Sequence, residues 1–215
     1  MNYFIIGDIH GCYYTFNNML THWNPASEYL VLVGDLIDRG NFSAGVVRQC
    51  MELMKENERV VIIKGNHEAE FIEHVATGYN ANWMAQRGQK TLDNFAAADM
   101  DLVRTAAWMR TFPLKLEQEG LVVTHGGISH TAYPFDENNN DGVLWNRQPL
   151  KNIGKVQVHG HTPLKRRDPA YDALANAWNI DTGAVYGYGL TGLRLDARGN
   201  LLAQFFEATD QRDIM

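Results

Sequence analysis

Residues 29–40 read Tyr29-Leu30-Val31-Leu32-Val33-Gly34-Asp35-Leu36-Ile37-Asp38-Arg39-Gly40. The first five are apolar and rich in β-branched or aromatic side chains, which suits a strand buried on both faces. The rest form a polar block closed at each end by glycine, and residues 43–56 then carry apolar side chains at the helical period. The same grammar stands on either side. Residues 3–6 run into Gly7-Asp8-Ile9-His10-Gly11, with a helical pattern over 15–22. Residues 60–63 run into Gly65-Asn66-His67-Glu68, with a helical pattern over 68–75. Strand, polar loop and helix in repetition predict an α/β sheet. In such sheets ligands collect at the carboxyl ends of the strands, where these blocks sit.

Further out, residues 80–110 place Trp83, Met84, Leu92, Phe95, Leu102, Val103 and Trp108 at three-to-four spacing, which predicts a helical insert packed on the sheet. After Pro113 the texture turns β-rich, with strands expected over 114–116, 121–124, 156–158, 178–180, 190–195 and 201–206 and a hairpin turn at Arg198-Gly199-Asn200. No repeat, linker or low-complexity tract divides the chain, so residues 1–215 are expected to form one domain. The net charge of -6 gives no general affinity for nucleic acid, and Lys165-Arg166-Arg167 reads as a solvated turn. No apolar run approaches the ~20 residues of a membrane span. Two cysteines and no apolar leader make a cytoplasmic setting the expectation.

Two further blocks, His125-Gly126-Gly127 and His159-Gly160-His161-Thr162, bring the number rich in metal-binding side chains to five. Together they supply carboxylates, an amide oxygen and imidazoles, the donors with which two divalent metals hydrolyse phosphate esters. Asp8 and His10 flank Ile9, and residues two apart in an extended stretch face the same way. Asp35 is the natural bridging carboxylate, since two metals ~3.5–4 Å apart share an oxygen ligand. Asn66 offers an amide oxygen, and His125 and His161 offer imidazoles. Mixed oxygen and nitrogen ligation without thiolate suits manganese, iron or zinc. The glycines beside the ligands let the chain turn and leave room.

Arg39, inside the second block, presents a planar fork of donors for phosphoryl oxygens; Arg147 offers the same fork, but an isolated arginine reads more often as a surface residue. His67 follows Asn66, so alternation turns it away from the metal, where a protonated imidazole held by Asp38 can act as general acid. His22, His74, His130 and His159 read as ordinary packed or solvated histidines. Other chemistries fail on the residues: position 71 is Phe, so no zincin helix begins at His67; Ser129 lacks a nucleophile elbow; Tyr13-Tyr14 after Cys12 is no anion loop.

These blocks, with Leu144-Trp145-Asn146-Arg147, Gly160-His161-Thr162-Pro163, Tyr133-Pro134-Phe135-Asp136-Glu137 and Ile180-Asp181-Thr182-Gly183-Ala184-Val185, resemble the metallophosphoesterase superfamily and its phosphoprotein phosphatase branch. The texture is similar to bacterial and phage-lambda-type serine/threonine protein phosphatases, over nearly the whole chain. The resemblance implies a β-sandwich of mixed sheets flanked by helices. It implies Asp8, His10 and Asp35 on a first metal, and Asp35, Asn66, His125 and His161 on a second, with manganese the usual ion. Asp38 and His67 become the acid pair, Arg39 and Arg147 hold phosphate, and Tyr186 lines the site. The implied reaction is direct hydrolysis of a phosphorylated protein or peptide, in which the metals acidify a bridging water that attacks phosphorus in line. The chain departs from the eukaryotic pattern after Leu144-Trp145 and near Tyr186, so no obligate regulatory subunit is implied. The rival substrate is diadenosine tetraphosphate, cleaved symmetrically, although Asp38 and Glu68 favour the protein phosphatase. Broad action on small phosphoesters stays open, and a non-catalytic metal-binding scaffold is the rival from a different class.

Overall fold

In the computed structural model, which describes residues 1–215, three parallel strands lead: β1 (Asn2–Ile6), β2 (Glu28–Leu32) and β3 (Val60–Ile62). Parallel neighbours need long crossovers. Here α1 (Tyr13–Leu20) and α2 (Ser43–Glu56) supply them. Near the C-terminus β9 (Leu190–Asp196) pairs antiparallel with β1, and β10 (Leu201–Glu207) pairs with β9 through the hairpin at Gly199, whose φ is +85°. The first sheet therefore has the order β10-β9-β1-β2-β3. A second mixed sheet is built from β4 (Lys115–Glu117), β5 (Leu121–Thr124), β6 (Val156–His159), β7 (Ala170–Asp172) and β8 (Ala177–Asn179), in the order β4-β5-β6-β8-β7.

Strand alternation decides which side of the first sheet each residue serves. Tyr3 and Ile5, with Val31 and Val33, join Leu121, Val123 and Val158 in the core between the sheets. Phe4 and Ile6, with Leu30 and Leu32, face Phe16, Met19, Val46 and Val47 of the helical layer. Both faces are thus buried, as the continuous apolar runs predict. Truncating Ile5 to alanine would cost about 2–5 kcal/mol, a large part of a domain's stability.

The helical stretch after β3 divides into α3 (Asn66–Thr77), α4 (Ala81–Ala85), α5 (Gly88–Ala97) and α6 (Leu102–Arg110). Asn80 and Asp101 cap α4 and α6 by accepting from Trp83 N–H and Arg104 N–H, at 2.9 and 3.0 Å. α3 starts two residues before the predicted position 68, which matters below. β7 was not expected from its sequence: Ala-Tyr-Asp is a half-exposed edge segment without apolar alternation. No helix is long and apolar enough to cross a membrane.

Candidate active site

The carboxyl ends of β1, β2, β3, β5 and β6 open at one edge of the sandwich, and the five sequence blocks meet there. The first two are laced by backbone: Ile9 and His10 N–H donate to Asp35 O, Gly11 N–H to Leu36 O, and Gly40 N–H to His10 O. The lacing holds an unusual backbone. His10, Asp35, Asp38, Arg39 and His161 are five of the nine non-glycine residues with positive φ. Each such residue costs about 1–3 kcal/mol, a strain that clusters at functional sites. His10 is therefore turned toward the cluster by a left-handed bend (φ +46°) and not by the extended alternation expected with Asp8.

Asp35 Oδ2 lies at the centre, 3.5 Å from His10 Nε2, 3.4 Å from His125 Nε2 and 3.9 Å from His67 Nε2. Asn66 Oδ1 is 3.0 Å from His125 Nε2 and 2.9 Å from His161 Nδ1. Two donor groups result, His10/Asp35/His67 and Asp35/His125/His161, sharing Asp35. The outer nitrogens are spoken for: His10 Nδ1 and His125 Nδ1 lie 2.9 Å from Ile37 O and Val33 O. Donation there turns both Nε2 atoms inward, an arrangement common to histidines that bind metal.

Asp8 stands at the margin of these groups. Its Oδ2 accepts His161 N–H at 3.0 Å, while its buried Oδ1 has no hydrogen-bond partner. Gly160 packs so closely over it that an added Cβ would come within 1.8 Å of Oδ1. A buried carboxylate oxygen without a donor is rare and calls for a cation. Carboxylates, an amide and imidazoles without thiolate fit a pair of divalent ions.

Electrostatics point the same way. Burial would push the Asp35 carboxyl up, but the imidazoles of His125 and His67 outweigh it and hold it well below the usual range. Burial opposes a proton on His125, yet Asp35 raises its pKa to about 10. That proton is the one a cation would displace. Burial and the neighbouring His125 lower His161 to about 3, and burial and Arg39 lower His10. Asp8 is raised by burial and by Asp181, and Asp181 is itself raised to about 7 by burial and Asp35.

His67 Nδ1 sits 2.5 Å from Asp38 Oδ2. Burial would lower the His67 pKa, but Asp35 and Asp38 raise it. Asp38 also accepts from Trp83 Nε1 at 2.7 Å and from Thr91 Oγ1. Because α3 begins at Asn66, consecutive side chains diverge by about 100° and not by a strand's alternation. Asn66 and His67 therefore both reach the cluster, which corrects the expectation that His67 turns away from it.

Several contributors were missed in the sequence. Trp83 packs on Phe71, as a core reading of the insert predicts, but its indole N–H also fixes Asp38. The signal was there, since a buried indole seeks an acceptor. Glu68 accepts from Asp35 N–H, Leu36 N–H and Gly65 N–H at 2.9, 2.8 and 2.9 Å, clamping the second block to the third. Arg39 reaches His10 Nε2 at 2.7 Å and Gln86 Oε1 at 3.0 Å. Arg147 is exposed, with Nη1 3.4 Å from Thr162 Oγ1. Tyr186 is 45% exposed at the rim, its ring centre 6.0 Å from the Arg39 guanidinium. The His159 ring hydrogen-bonds the Gly160 carbonyl at 3.1 Å, and His22 pairs with Glu207 at 2.7 Å, away from the cluster.

The profile of the calcineurin-like phosphoesterases matches residues 1–190. The chain is 30% identical over 204 residues to serine/threonine-protein phosphatase 1 of Salmonella typhimurium, covering 89% of this chain and 90% of that one. It is also 30% identical over 233 residues to the asymmetrical bis(5'-nucleosyl)-tetraphosphatase PrpE of Anoxybacillus flavithermus, covering 90% of each. Among solved structures, a putative diadenosine tetraphosphatase superposes with a TM-score of 0.68 at 22% identity, over 97% of this chain and 95% of that one.

Proposed function

The chain belongs to the calcineurin-like phosphoesterase family, and we propose that within it this protein is a dimetal phosphomonoesterase of the serine/threonine protein phosphatase kind. Residues 1–215 act as one catalytic domain in a cytoplasmic setting, a reading in keeping with two free, buried cysteines. Asp8, His10 and Asp35 would hold one ion, and Asp35, Asn66, His125 and His161 the other, with manganese preferred over iron or zinc. When bound, such ions acidify water and neutralise phosphoryl charge.

The rest falls to the chain's own side chains. Arg39 and Arg147 grip the phosphoryl oxygens with forked donors. His67 delivers a proton from Nε2 to the departing oxygen. Asp38 accepts the Nδ1–H hydrogen bond and fixes the ring, while Trp83 and Thr91 keep Asp38 in place.

The observation that carries this reading is the buried His67–Asp38 contact of 2.5 Å beside Asp35. A serine or threonine oxygen leaves as a strongly basic alkoxide and gains most from a positioned acid. A nucleotide leaving group departs as a stabilised phosphate and gains little. The same pair disfavours a scaffold without turnover. Dinucleoside tetraphosphate cleavage is the second reading, favoured by the equal identity to the Anoxybacillus protein. The test is kcat/KM of manganese-loaded protein on phosphoserine, phosphothreonine and phosphotyrosine peptides and on diadenosine tetraphosphate. Preference for the first two is expected; preference for the dinucleotide would overturn the assignment.

A further inference from the structure

Arg39 belongs to two places at once. One guanidinium nitrogen touches His10 in the donor cluster, and the other reaches Gln86 on the helical insert. Beyond Gln86 opens a cleft of about 450 Å³, lined by Arg39, Arg87 and Lys90 with Tyr186 and Val185 on the facing wall. Three cations line it and no carboxylate does. This runs against a chain whose net charge is -6.

The cations lack charged partners. Arg39 is held by His10 and Gln86, and Lys90 by Asn41 Oδ1 at 2.6 Å and Arg39 O at 3.1 Å. Glu70 stands behind Gln86, whose amide donates to it at 2.8 Å and shields it from the cleft. Burial, and after it the neighbouring Arg87, lower the Lys90 pKa. Lys165 adds a fourth cation, its Nζ 5.6 Å from the centre of the Tyr186 ring. Like charges brought together without partners raise the energy of the empty cleft and favour an anion within it.

We propose that this cleft is an anion subsite: while the scissile phosphoester sits at the donor cluster, Arg87 and Lys90 receive a second phosphate or carboxylate of the same peptide. Acidic or multiply phosphorylated peptides are then the preferred substrates. The inference rests on the phosphopeptide reading above and adds a selectivity to it. No new covalent step is involved, and the gain is expressed in KM because the second anion is gripped equally before and during bond cleavage.

The experiment compares three substrates on manganese-loaded protein: a phosphothreonine peptide with neutral flanks, the same peptide with a second phosphoserine nearby, and nitrophenyl phosphate, which is too small to reach the cleft. The wild type is expected to favour the doubly phosphorylated peptide at least tenfold in kcat/KM through KM, with the preference shrinking as salt rises. Arg87→Glu should erase that preference, with nitrophenyl phosphate as the reference for intact chemistry. Equal turnover of both peptides by the wild type, or a preference that survives Arg87→Glu, would overturn the subsite and leave the phosphatase reading standing. Turnover of nitrophenyl phosphate with neither peptide cleaved would overturn the phosphopeptide reading, and the peptide occupant of the cleft with it.

Discussion

At the floor of the candidate active site, most side chains are tied to backbone; at its rim they are tied to one another or to little at all. His10 and His125 anchor on the carbonyls of Ile37 and Val33, Asp8 on the His161 N–H, and Asp35 on a loop that Glu68 clamps. None of these ligand candidates exceeds 6% exposure. At the rim, Arg147 is exposed with one long contact at 3.4 Å, Tyr186 is half-exposed, and Arg39 spans from the floor to a glutamine in the turn between α4 and α5. A floor fixed by backbone is pre-organised before any substrate arrives. A rim of cations open to solvent can sort substrates by what surrounds the phosphoester. Losses from substituting the ligand candidates should be alike for every substrate, whereas losses at the acid His67 should follow the leaving group and losses at the rim should follow what surrounds the phosphoester.

Among substitutions that touch a single ion site or one side-chain role, Asp8→Asn should be the most damaging. It should lower kcat/KM by roughly 10³-fold or more on all substrates, because a catalytic ion contributes several kcal/mol. A variant with full metal content and full turnover would remove Asp8 from the floor. His67→Asn should cost about 10²–10⁴-fold on alkyl phosphates and much less on nitrophenyl phosphate, whose leaving group needs no proton. Equal losses on the two would argue against the acid role. Arg39→Ala should cost about 10²–10³-fold, since it removes donors aimed at transition-state charge. Arg147→Ala, in water-exposed surroundings that screen its charge, should cost only roughly tenfold. If the two arginine variants fall equally, the distinction between inner and outer rim disappears.

The smallest effect concerns the floor without its ions. His125 has a folded pKa of about 10 against an ordinary 6.5, so its contribution is complete below 6.5 and lost as pH rises through 10. Glu68 and Asp181, both raised to about 7, lose theirs as pH rises through 7. His161 and His159, lowered to about 3 and 4, contribute fully above 6.5 and add no slope there. The Tm of chelator-treated protein should therefore fall from pH 7 to 10. Manganese should reverse the trend, because its ligands must be deprotonated to bind. Parallel curves with and without manganese would show that these groups do not share the ion site.

The floor was legible in the sequence because its residues lie in short blocks directly after strands, where local turn geometry and neighbouring glycines announce them. All three parallel strands and α2 lie within a residue of their predicted bounds, since burial on both faces leaves an unbroken apolar run. The rim was only partly legible. Trp83, Gln86 and Thr91 act on residues more than forty positions away, and nothing local separates their work from core packing. The start of α3 was misplaced because Asn66 and His67 read equally well as the end of a loop, which hid the reason that both face the cluster. β7 carries too little apolar pattern to be seen at all.

If Asp35 joins two ion sites, the number of tightly held ions per chain must depend on it. Wild-type protein and Asp35→Asn, compared by circular dichroism to verify that both are folded, would be titrated with manganese and assayed for tightly held ions per chain. Two ions in the wild type, with both sites weakened together in the variant and turnover lost, is the result the geometry predicts. An Asp35→Asn protein that keeps two tightly held ions and wild-type activity would contradict it.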